Sequence, residues 1–309
     1  MKLWKLTKKQ VIIRLAVLIV LLAGVYVFLL LRAARHWKPA AVTEQISAPR
    51  SNPYLNPEGM TQETRILPPE GYTRVPAGED SLLTFLRRMP VYPECSALYV
   101  FDGTTRPGSN AAAVYTLSVG SEGYQECADT VIRLWSDYFN ATGQRDRLRF
   151  HLTNGFLCDY DSFRRGRRVF AVGSFSAWLP LTGADDSPQT YHDWLMTVMH
   201  YAGTLSLERE TAPISPADAH AGDILCRGGS PGHAVLLCDE AVNAEGQRCY
   251  LLVQGLIPAQ SAHILFAGDD PDNPWITQEA LGNYPVRAGA YTFDENMLRR
   301  YGDGFPAQP

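Results

Sequence analysis

Three side chains stand where their surroundings could make them reactive: Cys127, His233 and Gln254. Cys127 begins a stretch in which Cys127, Val131, Leu134, Trp135 and Tyr138 fall at i, i+4, i+7, i+8 and i+11, one apolar face of a helix. A thiol in the first turn of that helix sits at the positive end of its dipole, which lowers a thiol pKa and offers a thiolate near neutral pH. On this segment alone the plainer reading prevails, a core cysteine that is the first residue of the buried face. His233 follows Pro231-Gly232 and opens the apolar run Ala234-Val235-Leu236-Leu237, and Gln254 closes the next one, Tyr250-Leu251-Leu252-Val253. Asn243 and Gly246 mark a hairpin loop between the runs, and antiparallel pairing across it brings Gln254 close to His233. A histidine that opens a buried strand facing a polar side chain reads as an oriented imidazole.

Other groups carry weaker signals. Arg164, Arg165, Arg167 and Arg168 form a compact basic cluster that could grip a carboxylate or phosphate, or could be a solvated turn answered by Asp159 and Asp161. No C-x-x-C or H-E-x-x-H occurs among the six cysteines and seven histidines, so no metal is expected. The remaining metal-assisted route would use His233 with His263 or His151. With Cys127 reduced, the other cysteines allow at most two disulfides, and Cys238 with Cys249, flanking the hairpin, is the first pair to consider.

The elements that must position these groups read as follows. A short helix runs over Ser81–Met89, strands over Ala97–Phe101 and Ala111–Val119, and a helix over about Gln125–Asn140. Extended segments lie near Leu148–Leu152 and Val169–Val172, and a long helix near Thr190–Arg209. Strands follow at Asp223–Cys226, His233–Asp239, Cys249–Gln254 and His263–Phe266, then a last helix near Phe293–Tyr301. Helices come first and strands cluster late, which predicts α+β rather than an alternating βαβ order.

A cysteine at a helix N-terminus, then Gly222-Asp223, then Gly232-His233 opening a strand, then a polar residue on the next strand resembles papain-like amidases of the NlpC/P60 and CHAP type. More closely, Gln125-Glu126-Cys127-Ala128-Asp129 with Arg133-Leu134, Asn154-Gly155-Phe156, Tyr201 to Leu207, Pro231 to Val235 and Pro258-Ala259-Gln260 resemble a bacterial family of unknown function, numbered 4846. The papain-like resemblance implies an antiparallel sheet with the nucleophile helix packed on it, plus an inserted helix between Cys127 and His233. It implies catalytic roles for Cys127 as nucleophile, His233 as its base and then the acid for the leaving amine, and Gln254 as the side chain orienting the imidazole. The Cys127 N–H with Gln125 or Tyr124 would form an oxyanion hole, and Asp223 is a substrate-contact candidate.

Composition sets the frame. The chain has 309 residues, 46% hydrophobic and 19% charged, enough for one large or two small cored domains. All five lysines lie in the first 38 residues with three arginines and no acid, so the overall −4 leaves residues 39–309 at about −12. A lysine-free body excludes a P-loop lysine, a Schiff base, a Ser–Lys hydrolase and a kinase lysine, and its acidity argues against nucleic-acid binding. Leu15 to Leu31 is an unbroken apolar run, so residues 1–14 read as a cytoplasmic basic N-terminus and 11–32 as a single membrane-spanning anchor in the bilayer. Residues 33–65 read as a flexible Pro-rich tether and 66–309 as an extracytoplasmic globular domain. The expectation is a membrane-anchored thiol hydrolase needing no cofactor, acting on an amide of envelope or cell-wall peptide. Its rival is a non-catalytic envelope protein of the same fold that binds a ligand in the corresponding cleft.

Overall fold

A computed structural model describes residues 52–93 and 97–302. The expected N-terminus and anchor lie outside them, and no helix among the described residues is long and apolar enough to cross a membrane. Mixed α and β structure surrounds a nine-stranded antiparallel sheet. Its order is Ala111–Val114, His263–Leu265, Arg248–Gln254, His233–Asn243, Ile224–Arg227, Leu298–Tyr301 and Thr211–Pro213. Tyr72–Arg74 and Trp275–Thr277 pair with the outer halves of the His233 and Gln254 strands.

The central strands carry unbroken apolar runs, Ala234–Cys238 and Cys249–Val253, because both faces of the sheet are covered. Ala234, Leu236 and Cys238 pack with Val131, Leu134 and Trp135 of the helix Cys127–Ala141. Val235 and Leu237 point the other way, onto Leu281, Val286 and Phe293. The predicted face of the Cys127 helix is thus the buried one, with Val131, Leu134 and Trp135 fully enclosed.

Several expectations are corrected. Residues 52–65 belong to the fold rather than to a tether: Gln62 donates to the Cys238 carbonyl and accepts from Tyr115, and Arg65 donates to the Gly59 carbonyl. These are single side-chain anchors with no periodicity to reveal them. The long helix is two, Pro188–Tyr201 and Thr204–Glu210, because Ala202 and Gly203 are extended and the Gly203 N–H turns to Ser206 Oγ. In place of a final helix, Val286–Ala288 and Tyr291–Phe293 form a hairpin, and Leu298–Tyr301 joins the main sheet. Cys238 and Cys249 are both free thiols: Cys249 stands opposite Ala241, and Cys238 sits in the bulge between Leu237 and Asp239.

Candidate functional site

The site forms where the two central strands part. Their ladder ends at Leu236 opposite Val253, and beyond it the Ala234 backbone N–H lies near enough to Cys127 to act on its thiol. The helix can approach this closely because Gly255 follows Gln254. A Cβ there would collide with Thr130 Oγ1 and stand 2.7 Å from the Glu126 carbonyl oxygen. Gly232 does the same before His233, where a Cβ would meet Thr204 Oγ1 and the Gly229 carbonyl. Asp129 steadies the helix start by accepting from the Glu126 N–H at 3.1 Å.

His233, Gln254 and His263 lie on the hairpin side of the sheet and are all buried. His233 Nε2 is 2.7 Å from Gln254 Oε1. An amide oxygen only accepts, so neutral His233 carries its proton on Nε2 and its lone pair on Nδ1. Tyr291 stacks face to face on the imidazole, ring centroids 3.6 Å apart, and a Cβ built on Gly289 would stand 3.4 Å from the Gln254 amide nitrogen. Gln254 Nε2 continues to His263 Nε2 at 3.1 Å, and His263 Nδ1 to the Ser261 carbonyl at 3.0 Å.

A cleft of about 550 Å³ opens over Cys127. Its walls include Tyr124, Glu126, His200, Thr204, Ile257 and Tyr291. Tyr124 lies against His200, ring centroids 4.7 Å apart, so the segment between Cys127 and His233 supplies one wall.

Burial dominates the electrostatics. It pushes the Cys127 thiol up, against the N–H groups of Ala234 and Ala128, and the Asp129 and Glu126 carboxylates add to the rise. The expected dipole-lowered thiolate is therefore not the resting form. Burial likewise pushes His233 down to about 4 despite its bond to Gln254, so thiol and imidazole rest as a neutral pair. Among the described residues no hydrogen bond joins the Cys127 sulfur to the His233 ring, and the groups that oppose the burial of the thiol are the backbone N–H groups of Ala234 and Ala128. Asp129 is raised well above the usual carboxylate range, chiefly by burial.

Other expected members lie elsewhere. Gln125 is fully buried and turned inward, its Oε1 accepting from Arg133 at 2.6 Å, and it does not line the cleft. Asp223 is held by Arg300 Nε and Nη2, at 2.8 and 2.7 Å, and is likewise not a cleft residue. In the basic cluster Arg164 and Arg165 pair with Asp161, and Arg168 lies 4.0 Å over the Phe163 ring with its donors on backbone carbonyls. Arg167 is exposed, and Asp159 caps the helix Tyr160–Arg164 through the Ser162 N–H. His151 bonds Glu210 at 2.7 Å, and no cluster of three or more potential metal ligands occurs among the described residues. Tyr291 and His200 play no part in the sequence reading, and Thr204 enters it only within the Tyr201 to Leu207 motif. The alternating Tyr291-Thr292-Phe293 behind Gly289 is the strand signal that could have revealed the first.

No curated protein and no solved structure matches the chain significantly. The profile of one family, described as a domain of unknown function (4846), matches residues 62–300, which takes in the sheet, the Cys127 helix and every cleft residue. The chain belongs to that family.

Proposed function

We propose that the protein is a cysteine hydrolase that cleaves an amide bond, with a papain-like arrangement of Cys127, His233 and Gln254. One observation carries this: Tyr291, stacked on the His233 ring at 3.6 Å, also lines the cleft over Cys127, so thiol and imidazole flank one site. In the reaction His233 Nδ1 takes the thiol proton as the sulfur bonds the amide carbon. The Nδ1–H then passes to the leaving nitrogen as the C–N bond breaks, leaving a thioester and a free amine. Water, deprotonated by His233, cleaves the thioester to a carboxylic acid and restores the thiol. The Cys127 N–H, in the first helical turn, has no acceptor within the helix and is available to the developing oxyanion. Hydrogen bonds between nucleophile and base often tighten only when substrate binds, which fits a resting pair that is neutral and not yet joined.

The apolar run at 11–32 supports a bilayer anchor with the domain outside the cytoplasm, and so an envelope or cell-wall peptide as substrate. The test is incubation of the full chain with cell-wall peptides and mass spectrometric detection of new amine and acid ends. Products are expected with the wild type and lost with Cys127→Ala and with His233→Ala. The raised thiol and lowered imidazole favour one second reading, a cleft that binds such a peptide without cleaving it. Binding to both wild type and Cys127→Ala, with no product from either, would establish that instead.

A further inference from the structure

We propose that His263 is a positioning residue of this site: held by the Ser261 carbonyl, it sets which way the Gln254 amide points and so which nitrogen of His233 carries the proton. Only the purpose of this device rests on the reading of Cys127 and His233 as the reacting pair; the proton arrangement follows from the hydrogen bonds.

The chain of donors has one fixed end. The Ser261 carbonyl can only accept, and His263 Nδ1 lies 3.0 Å from it, so the His263 proton is on Nδ1. His263 Nε2 is then a lone pair, and its neighbour at 3.1 Å must donate. That neighbour is the Gln254 amide nitrogen, which leaves the amide oxygen toward His233, 2.7 Å from Nε2. Turning the amide over would reverse every step. Its NH2 would face His233 Nε2 and force the His233 proton onto Nδ1, where it could not receive the thiol proton. Its oxygen would face His263 Nε2, moving that proton away from Ser261 and setting two lone pairs against each other. A doubly protonated His263 would escape the conflict, but the residue is 2% exposed and burial disfavours its charged form. Gln254 alone would orient His233 equally well either way round; His263 removes the choice.

Tautomers are read directly by long-range nitrogen–proton correlation spectra of the full chain labelled at histidine nitrogen. In the wild type, His233 is expected as the Nε2–H form and His263 as the Nδ1–H form. In His263→Phe, which keeps volume but removes the acceptor, His233 is expected as a mixture of both tautomers, and His263→Gln, which restores an acceptor, returns it to one. A wild-type His263 protonated on Nε2, or a His233 tautomer unmoved in a folded His263→Phe, would overturn the proposal. The wild-type spectrum decides even where His263→Phe does not fold. Alkylation of Cys127 at neutral pH separates this from the hydrolase reading. If His233→Ala leaves the alkylation rate unchanged while the tautomers are as stated, the positioning role holds and the reacting pair does not. If His233→Ala slows alkylation several-fold and the tautomers differ, the positioning role alone falls.

Discussion

Tyr291 lies flat on His233, with 9° between the ring planes. The stack closes one face of an imidazole whose edge is already held by Gln254, and together they keep it out of water. Removing the phenol ring re-admits solvent to that face and relieves the desolvation that dominates the His233 shift. Tyr291→Ala is therefore expected to raise the His233 midpoint from about 4 toward the ordinary 6.5, followed by its ring proton resonances against pH. The lost ring contacts should cost about 1–3 kcal/mol in denaturant unfolding.

The His233 shift also makes a prediction about stability. The folded protein holds this group neutral down to about pH 4, whereas the unfolded chain protonates it from 6.5. Between those values the unfolded state binds more protons, so stability is complete above 6.5 and falls as pH drops through the window. A shift of this size corresponds to about 3 kcal/mol. Urea unfolding of the wild type should show that loss, and His233→Gln should lose less over the same interval because its side chain does not titrate.

The partnership of His233 with Gln254 was legible because two apolar runs joined by a hairpin loop leave little choice of register. The helix face behind Cys127 was legible for the same reason, a period that burial enforces. What could not be read is set by single contacts between distant residues. Gln125 turns to Arg133, Asp223 to Arg300, and Gln62 to the Cys238 carbonyl, and none of these leaves a trace in periodicity. Phe293–Tyr301 reads as helix because Phe293, Met297, Leu298 and Tyr301 mimic helical spacing over strands only three and four residues long. The dipole at Cys127 was visible in the sequence, but the burial that outweighs it belongs to the packed sheet end.

That burial bears on reactivity. Cys127 lines the cleft, whereas Cys158, Cys226, Cys238 and Cys249 are sealed in the core. Among these five, iodoacetamide should modify Cys127 alone in the folded protein, with the others reacting only on unfolding. Because burial raises the thiol, the midpoint of its rate against pH should lie above the ordinary value of 9.0. A midpoint below that value would mean that an opposite charge reaches the sulfur. Peptide mapping by mass spectrometry across a pH series measures both.

Gly255 offers a test of how the site is assembled. Its missing side chain lets the first turn of the Cys127 helix rest against the end of the Gln254 strand. In Gly255→Ala the new methyl meets Thr130 Oγ1, which can turn aside, and the Glu126 carbonyl oxygen, 2.7 Å from the built Cβ, which cannot without moving the helix. Overpacking of this kind costs about 1–3 kcal/mol, and the strain should displace Cys127 relative to the Ala234 N–H. Thermal unfolding should show a lowered midpoint for Gly255→Ala, and adding Thr130→Ala should restore only part of it. Full recovery in the double variant would mean that the hydroxyl alone made the contact and that the helix start is free to shift.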